Sequence, residues 1–174
     1  MMSKYKGGKG KKLLKNIDLL KNLTQDEINE LWNIVVPVEF SIGSVIMKEG
    51  DIGDSMFLFV SGVVDVTKNL TLKIGKKGFS LVEKSMVKLN SNNVSFFGDM
   101  AMFENDTRSA TITASADCLL FEIKRNDFAA LCMKNPELGY KLIKEIAITL
   151  CQRVRKGNQD ILKLTTALSI ALSK

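Results

Sequence analysis

The residues best suited to chemistry stand at Phe97-Gly98-Asp99-Met100-Ala101, followed six residues later by Arg108-Ser109-Ala110-Thr111. Gly98 lets the backbone approach a ligand closely. Asp99 to Phe103 would form one short helical turn, whose first N–H groups face an anion. Arg108 adds a fixed positive fork suited to phosphate. The Ser109 hydroxyl and the N–H groups after it add donors. Asp99 accepts but does not donate when ionised, which suits a sugar hydroxyl. A phosphate grip and a ribose grip in one short stretch fit a small nucleotide. Taken alone, the same residues also fit a surface loop with an incidental Asp and Arg.

Composition removes most rival chemistries. The 174 residues include no histidine, so His triads, His general bases and His metal sites are excluded. The three cysteines, Cys118, Cys132 and Cys151, form no CxxC pair. Their odd count argues against a disulfide framework, and they read as small half-buried hydrophobes. No metal is expected. The net charge is +6, but Lys4, Lys6, Lys9, Lys11, Lys12 and Lys15 supply all of it. Without those six, 19 basic residues face 19 acidic ones. The basicity therefore belongs to residues 1–15, chiefly to a Gly/Lys-rich tail over 1–12 that is expected to be disordered. No apolar run approaches the roughly 18–20 residues that span a bilayer. No signal peptide follows the lysines, so a cytoplasmic protein without membrane contact is expected.

The elements that must position the site follow from local patterning. Thr24-Gln25-Asp26-Glu27 is a capping box, and Ile28, Leu31, Ile34 and Val35 recur at helical spacing. These predict a helix from about 25 to 35, ended near Pro37, with a shorter one near 11–21. Short β-rich runs follow, punctuated by glycines 43, 50, 53, 62, 75, 78 and 98. Strands are predicted at 36–40, 45–47, 56–60, 63–67, 70–74, 79–89, 109–114 and 118–123. Strands at this spacing, without βαβ alternation, predict a sandwich, barrel or jelly roll. Arg125–Met133 predicts a short helix. Asn135-Pro136 predicts an N-cap followed by proline at the first helical position. A long helix then runs to the end. Tyr140, Ile143, Ala147, Leu150, Val154, Gly157, Ile161, Leu164, Leu168 and Ala171 keep an unbroken heptad register along it. That register predicts self-association through the helix.

The order Phe97-Gly98-Asp99-Met100-Ala101, six residues, Arg108-Ser109-Ala110 resembles the phosphate-binding cassette of the cyclic nucleotide-binding domain family. A second stretch agrees with that family's strand-turn-strand glycine framework. It runs Phe40, Gly43, Ile46, Glu49-Gly50-Asp51, Gly53-Asp54, Met56-Phe57 and Ser61-Gly62. The resemblance implies a mainly β fold: an eight-stranded jelly-roll barrel with N-terminal helices and a long C-terminal helix. The domain plan is then a tail over 1–12, a cyclic nucleotide-binding jelly roll over 13–135, and a lid and dimerisation helix over 136–174. By the match, Arg108 pairs with the cyclic phosphate, Gly98 and Asp99 face the ribose 2′-hydroxyl, and Ser109 and Ala110 contact phosphate. Rough alignment of the helix places Arg153 and Val154 opposite the base.

The resemblance implies a regulatory module that binds cAMP or cGMP, and no enzymatic role. Ser109 leaves the base open, with cAMP favoured. A homodimer through the C-terminal helix and an unidentified downstream protein are the expected partners. No helix-turn-helix follows the long helix in this sequence, so DNA binding by the chain itself is not expected. Asp99 departs from the family's glutamate by one methylene, about 1–1.5 Å of reach. The rival reading is therefore a cyclic nucleotide fold that no longer binds and serves as a dimeric scaffold.

Overall fold

The computed structural model describes residues 5, 8–74, 78–104 and 106–173, with backbone alone at 70–74 and 78–83. Among the described residues, eight strands form two four-stranded antiparallel sheets. They are β1 (Val35–Phe40), β2 (Val45–Met47), β3 (Ser55–Ser61), β4 (Val63–Ile74), β5 (Gly78–Asn90), β6 (Phe96–Phe97), β7 (Thr111–Ala114) and β8 (Cys118–Lys124). One sheet runs β1-β8-β3-β6 and the other β2-β7-β4-β5. This interleaved order is that of a jelly roll. The expected closed barrel is corrected to a sandwich, since no described strand pairing joins the two sheets.

The strand count agrees with expectation through two compensating differences. Lys68-Asn69 reads as a break, yet β4 continues through it, with the Asn69 N–H donating to Glu49 Oε2 at 2.8 Å. Conversely, β6 has two residues, too few for any periodicity to register. Pro37, expected to end a helix, lies in β1 opposite Phe121. It is tolerated there because β1 is an edge strand. The helix before it ends earlier, at Trp32.

Residues α1 (Gly8–Lys15), α2 (Gln25–Trp32), α4 (Arg125–Lys134) and the start of α5 (Pro136–Leu172) pack on the first sheet. The tail expected to be disordered over 1–12 is therefore helical from Gly8. Leu14, fully buried, anchors that turn while the lysines stay in solvent. Lys4 and Lys6 lie outside the described residues.

The first sheet is buried on both faces. In β3, Met56 and Leu58 point to the helices, and Phe57 and Phe59 point to the second sheet. In β6, Phe96 and Phe97 divide the same way. Phe97 stacks on Phe57 at 5.4 Å between ring centroids and meets Phe59 edge-on at 5.7 Å. The short β6, which leads into the cassette, is thus fixed by aromatic packing rather than by ladder length.

Helix α5 begins as expected, with Asn135 Oδ1 accepting from the Leu138 N–H at 3.1 Å and Pro136 behind it. Its 37 residues span about 55 Å. Leu138, Leu142 and Ile146 bury it against the domain. Polar ties reinforce this: Lys141 Nζ donates to Glu27 Oε1 at 2.7 Å, and Asn135 Nδ2 to Glu30 Oε2 at 2.8 Å. From residue 154 onward the described helix is exposed.

The Glu27–Lys141 tie has a definite pH dependence. The Lys141 hydrogen bond, then the Thr24 N–H, hold the Glu27 carboxyl below its ordinary range, while the same bond raises Lys141. A lowered folded-state value contributes stability at neutral pH that is lost as pH falls through it. Lys141→Ala should lower stability slightly at pH 7. In urea titrations the variant and wild type should converge in acid, below the ordinary carboxylate range.

Candidate functional site

The two sequence motifs meet at Arg108. Its N–H donates to Asp51 O at 2.7 Å, and its carbonyl accepts from the Gly50 N–H at 3.0 Å. An isolated bridge between Ile52 and Thr107 continues this pairing. The turn between β2 and β3 therefore holds the backbone on either side of the arginine. The same turn makes room for the side chain. A Cβ on Gly53 would stand 2.2 Å from Arg108 Nε.

The half-buried guanidinium is closely tied. Arg108 Nη1 donates to Ser55 O at 2.8 Å and to Gly98 O at 3.3 Å, and Nη2 donates to Ser55 Oγ at 3.3 Å. Burial pulls Arg108 below its ordinary pKa, opposed by the Asp54 and Glu122 carboxylates. Arginine's high starting value keeps it cationic at neutral pH. The charge is thus held by neutral oxygens, with no carboxylate in contact among its hydrogen bonds.

Gly98 follows β6 with φ of +74°, the left-handed region that favours glycine. That turn starts α3 (Met100–Phe103), with Asp99 as its N-cap residue. Asp99 is buried, at 5% exposure. Its carboxylate is engaged by α5: Arg153 Nη1 donates to Asp99 Oδ1 at 2.9 Å.

A cavity of about 860 Å³ opens between this cassette, the second sheet and α5. Its size lies within the roughly 300–1,000 Å³ usual for small-molecule sites. All eight residues expected from the cassette, Phe97, Gly98, Asp99, Met100, Ala101, Arg108, Ser109 and Ala110, line it. Met47, Val66, Val87, Leu89 and Ile112 supply apolar wall. These strand positions carry no chemical signature that would single them out before folding. Among the described residues, no cluster of three or more His, Cys, Asp or Glu could hold a metal ion. No described helix is long and apolar enough to cross a membrane.

The expected base cap needs correction. Val154 is 62% exposed and does not line the cavity. Arg153 does line it, but its guanidinium is committed to Asp99 and to Phe96 O. The α5 residues that line the cavity are instead Glu145, Ile148, Thr149, Leu150, Gln152, Arg153 and Lys156. Apolar periodicity marks the stripe that avoids water, and says nothing about which polar face turns toward a ligand.

Comparison with known proteins agrees with this geometry. Residues 37–135, more than half of the chain, match the cyclic nucleotide-binding domain family. The chain belongs to that family. A cGMP-dependent protein kinase of Drosophila melanogaster is 31% identical over 117 residues, covering 67% of this chain and 9% of that protein. A cyclic nucleotide-gated potassium channel of Rhizobium etli is 29% identical over 132 residues, 76% of this chain and 33% of that protein. The chain thus spans a third or less of the length of these two relatives. The fold is shared with a cyclic nucleotide-binding domain from Methylobacillus flagellatus, with a TM-score of 0.70 and 24% identity. That match covers 87% of this chain and 79% of the other. The Thermus thermophilus catabolite activator protein aligns with a TM-score of 0.66 and 23% identity, over 84% of this chain and 62% of its own.

Gly53→Ala tests the packing at Arg108. The added methyl should displace the guanidinium while costing no more than about 1–3 kcal/mol in urea unfolding. A crystal structure of the variant with Arg108 unmoved would contradict this account of the slot.

Proposed function

We infer that the protein is a regulatory module that binds a cyclic nucleotide, cAMP or cGMP, and transmits occupancy through α5 to a partner protein. The observation that carries this reading is the convergence of Arg108, Asp99, Ser109 and the backbone at Gly98 on one cavity of suitable size. Arg108 would meet the cyclic phosphate, Ser109 and Ala110 would add contacts to it, and Asp99 would accept from the ribose 2′-hydroxyl. Ser109 leaves the base open, and calorimetry decides between cAMP and cGMP. The role is ligand sensing, with no chemical step.

Calorimetry with cAMP and cGMP tests it. Wild type should bind with micromolar affinity, and Arg108→Ala should lose two to three decades, the cost of removing one member of a buried charge pair (about 3–5 kcal/mol). At a ligand concentration 100 times Kd, the stabilisation should reach about 2.7 kcal/mol. No heat and no thermal shift at about 1 mM ligand would instead favour the scaffold reading. The Asp99 carboxylate, shorter than glutamate and bonded to Arg153, is the observation on that side.

Self-association through α5 belongs to the same proposal. Leu138, Leu142 and Ile146 use one face of the helix. The heptad stripe lies on another face, and Tyr140, Ile143, Val154, Ile161, Leu164 and Leu168 on it are exposed in the single chain. A second copy would bury that stripe in a coiled coil. Light scattering should give a dimer for wild type and a folded monomer for the double variant Leu164→Asp, Leu168→Asp. A monomeric wild type would remove the dimer from the proposal and leave ligand binding standing.

A further inference from the structure

The lysines of α1 all lie on one side of it. At about 100° per residue, Lys9, Lys12, Lys15 and Lys11 fan over roughly 160° of the helix. Gly10, Leu13 and Leu14 occupy the opposite arc. Gly10 and Leu14 are buried there, and Leu13 packs against the core. The close approach at Gly10 fixes this orientation, since a Cβ at that position would strike the Trp32 ring. The apolar side of α1 is thus taken by its own domain. Lys9, Lys12 and Lys15 are exposed on the other side, with Lys11 half-buried at its margin.

This charge has no counterpart on the protein. Among the described residues, no carboxylate pairs with Lys9, Lys11, Lys12, Lys15 or the following Lys21. Nor do the lysines all serve the helix. Lys9 and Lys11 stand in its first turn, at the positive end of the helix dipole, where there is no acidic residue. Lys11 and Lys15 are like charges four residues apart, a spacing that destabilises a helix. Lys4 and Lys6 precede α1 in the sequence and add to the same sign. An anionic surface would relieve all of these repulsions together.

We propose that the outer face of α1 is a docking surface for an anionic lipid bilayer, held there by charge alone. Clusters of four to eight lysines are attracted to acidic headgroups, each lysine contributing about fivefold in affinity. Lysine suits this partner. Its ammonium is a point charge on a flexible arm, so a fan of lysines can settle on a plane of mobile headgroups. Nucleic acid is served less well, because α1 offers neither an arginine fork nor an aromatic ring to stack on a base. Leu13 and Leu14 already pack on the domain, so contact is without insertion. The expectation of no membrane contact rested on the lack of a spanning apolar run, which does not bear on attachment by charge. None of the four lysines lines the cavity, so docking is independent of cyclic nucleotide binding there.

The test is co-sedimentation with vesicles of phosphatidylcholine, alone or with roughly 30 % phosphatidylserine. At about 0.1 M salt, wild type should bind the acidic vesicles about 100-fold more tightly than the neutral ones. Raising the salt to about 0.5 M should release it. The combined variant Lys9→Gln, Lys11→Gln, Lys12→Gln, Lys15→Gln should bind acidic vesicles no better than neutral ones. The control Lys48→Gln, Lys68→Gln, Lys84→Gln, Lys88→Gln removes the same charge from exposed positions on the sandwich. It should lose less than about threefold, since those charges are screened from the bilayer. Equal losses in the two variants would assign binding to net charge and overturn the proposal. So would wild type that binds both vesicles alike or neither, or binding that survives the higher salt. A DNA duplex that binds more tightly than the acidic vesicles, through the same four lysines, would overturn it in favour of nucleic acid. The lipid and salt comparisons use wild type alone, so they decide even where a variant fails to fold.

Discussion

The site depends on one constraint: a cationic side chain must lie half-buried where only small residues leave it space. Taking a guanidinium out of water is unfavourable unless its N–H groups are bonded. Here Ser55 O, Ser55 Oγ and Gly98 O accept from it. Those acceptors come from the start of β3 and from the cassette. The room comes from the turn before β3, where Gly53 has no side chain to strike Arg108. One arginine thus requires three chain segments to take definite positions together. The glycine framework and the cassette are for this reason one structural unit.

The scaffold answers that requirement through a central sheet buried on both sides. Alternate residues of β3 face helices and sheet, so side-chain period and burial are locked together. A slip of one residue in β3 would send Phe57 and Phe59 into the helical layer and move Ser55 off Arg108. The aromatic contacts of Phe97 extend this control to β6. The polar site inherits its precision from an apolar arrangement on the other side of the same strands.

Much of this was legible in the residues because their order carries chemical content. Arg108, Asp99 and Gly98 have types that phosphate and sugar recognition need, and all the cassette residues reached one cavity. Elements with strong local signals, such as the Thr24 capping box and the Asn135-Pro136 start, formed where expected. What stayed hidden was long-range or too short to show. The Asp99–Arg153 bond joins residues 54 positions apart, and no local pattern announces it. The two-residue β6 has no periodicity. Val154 does not face the cavity although Leu150, one step earlier in the same heptad register, does, because a register alone does not say where along the helix a cavity lies. Lys68-Asn69 looked like a turn, since polarity alone does not separate a turn from an exposed hairpin.

The reach of α5 past Arg153 has a mechanical consequence. Its last firm grip on the domain is near one end of an otherwise unsupported rod, continuous to Leu172. The 19 residues from Arg153 to Leu172 extend about 28 Å, so a tilt of roughly 10° about that point carries the tip about 5 Å. In the proposed signalling role the helix would serve as a lever whose fulcrum sits beside the cassette, turning small adjustments there into displacements as large as a helical turn at the far end.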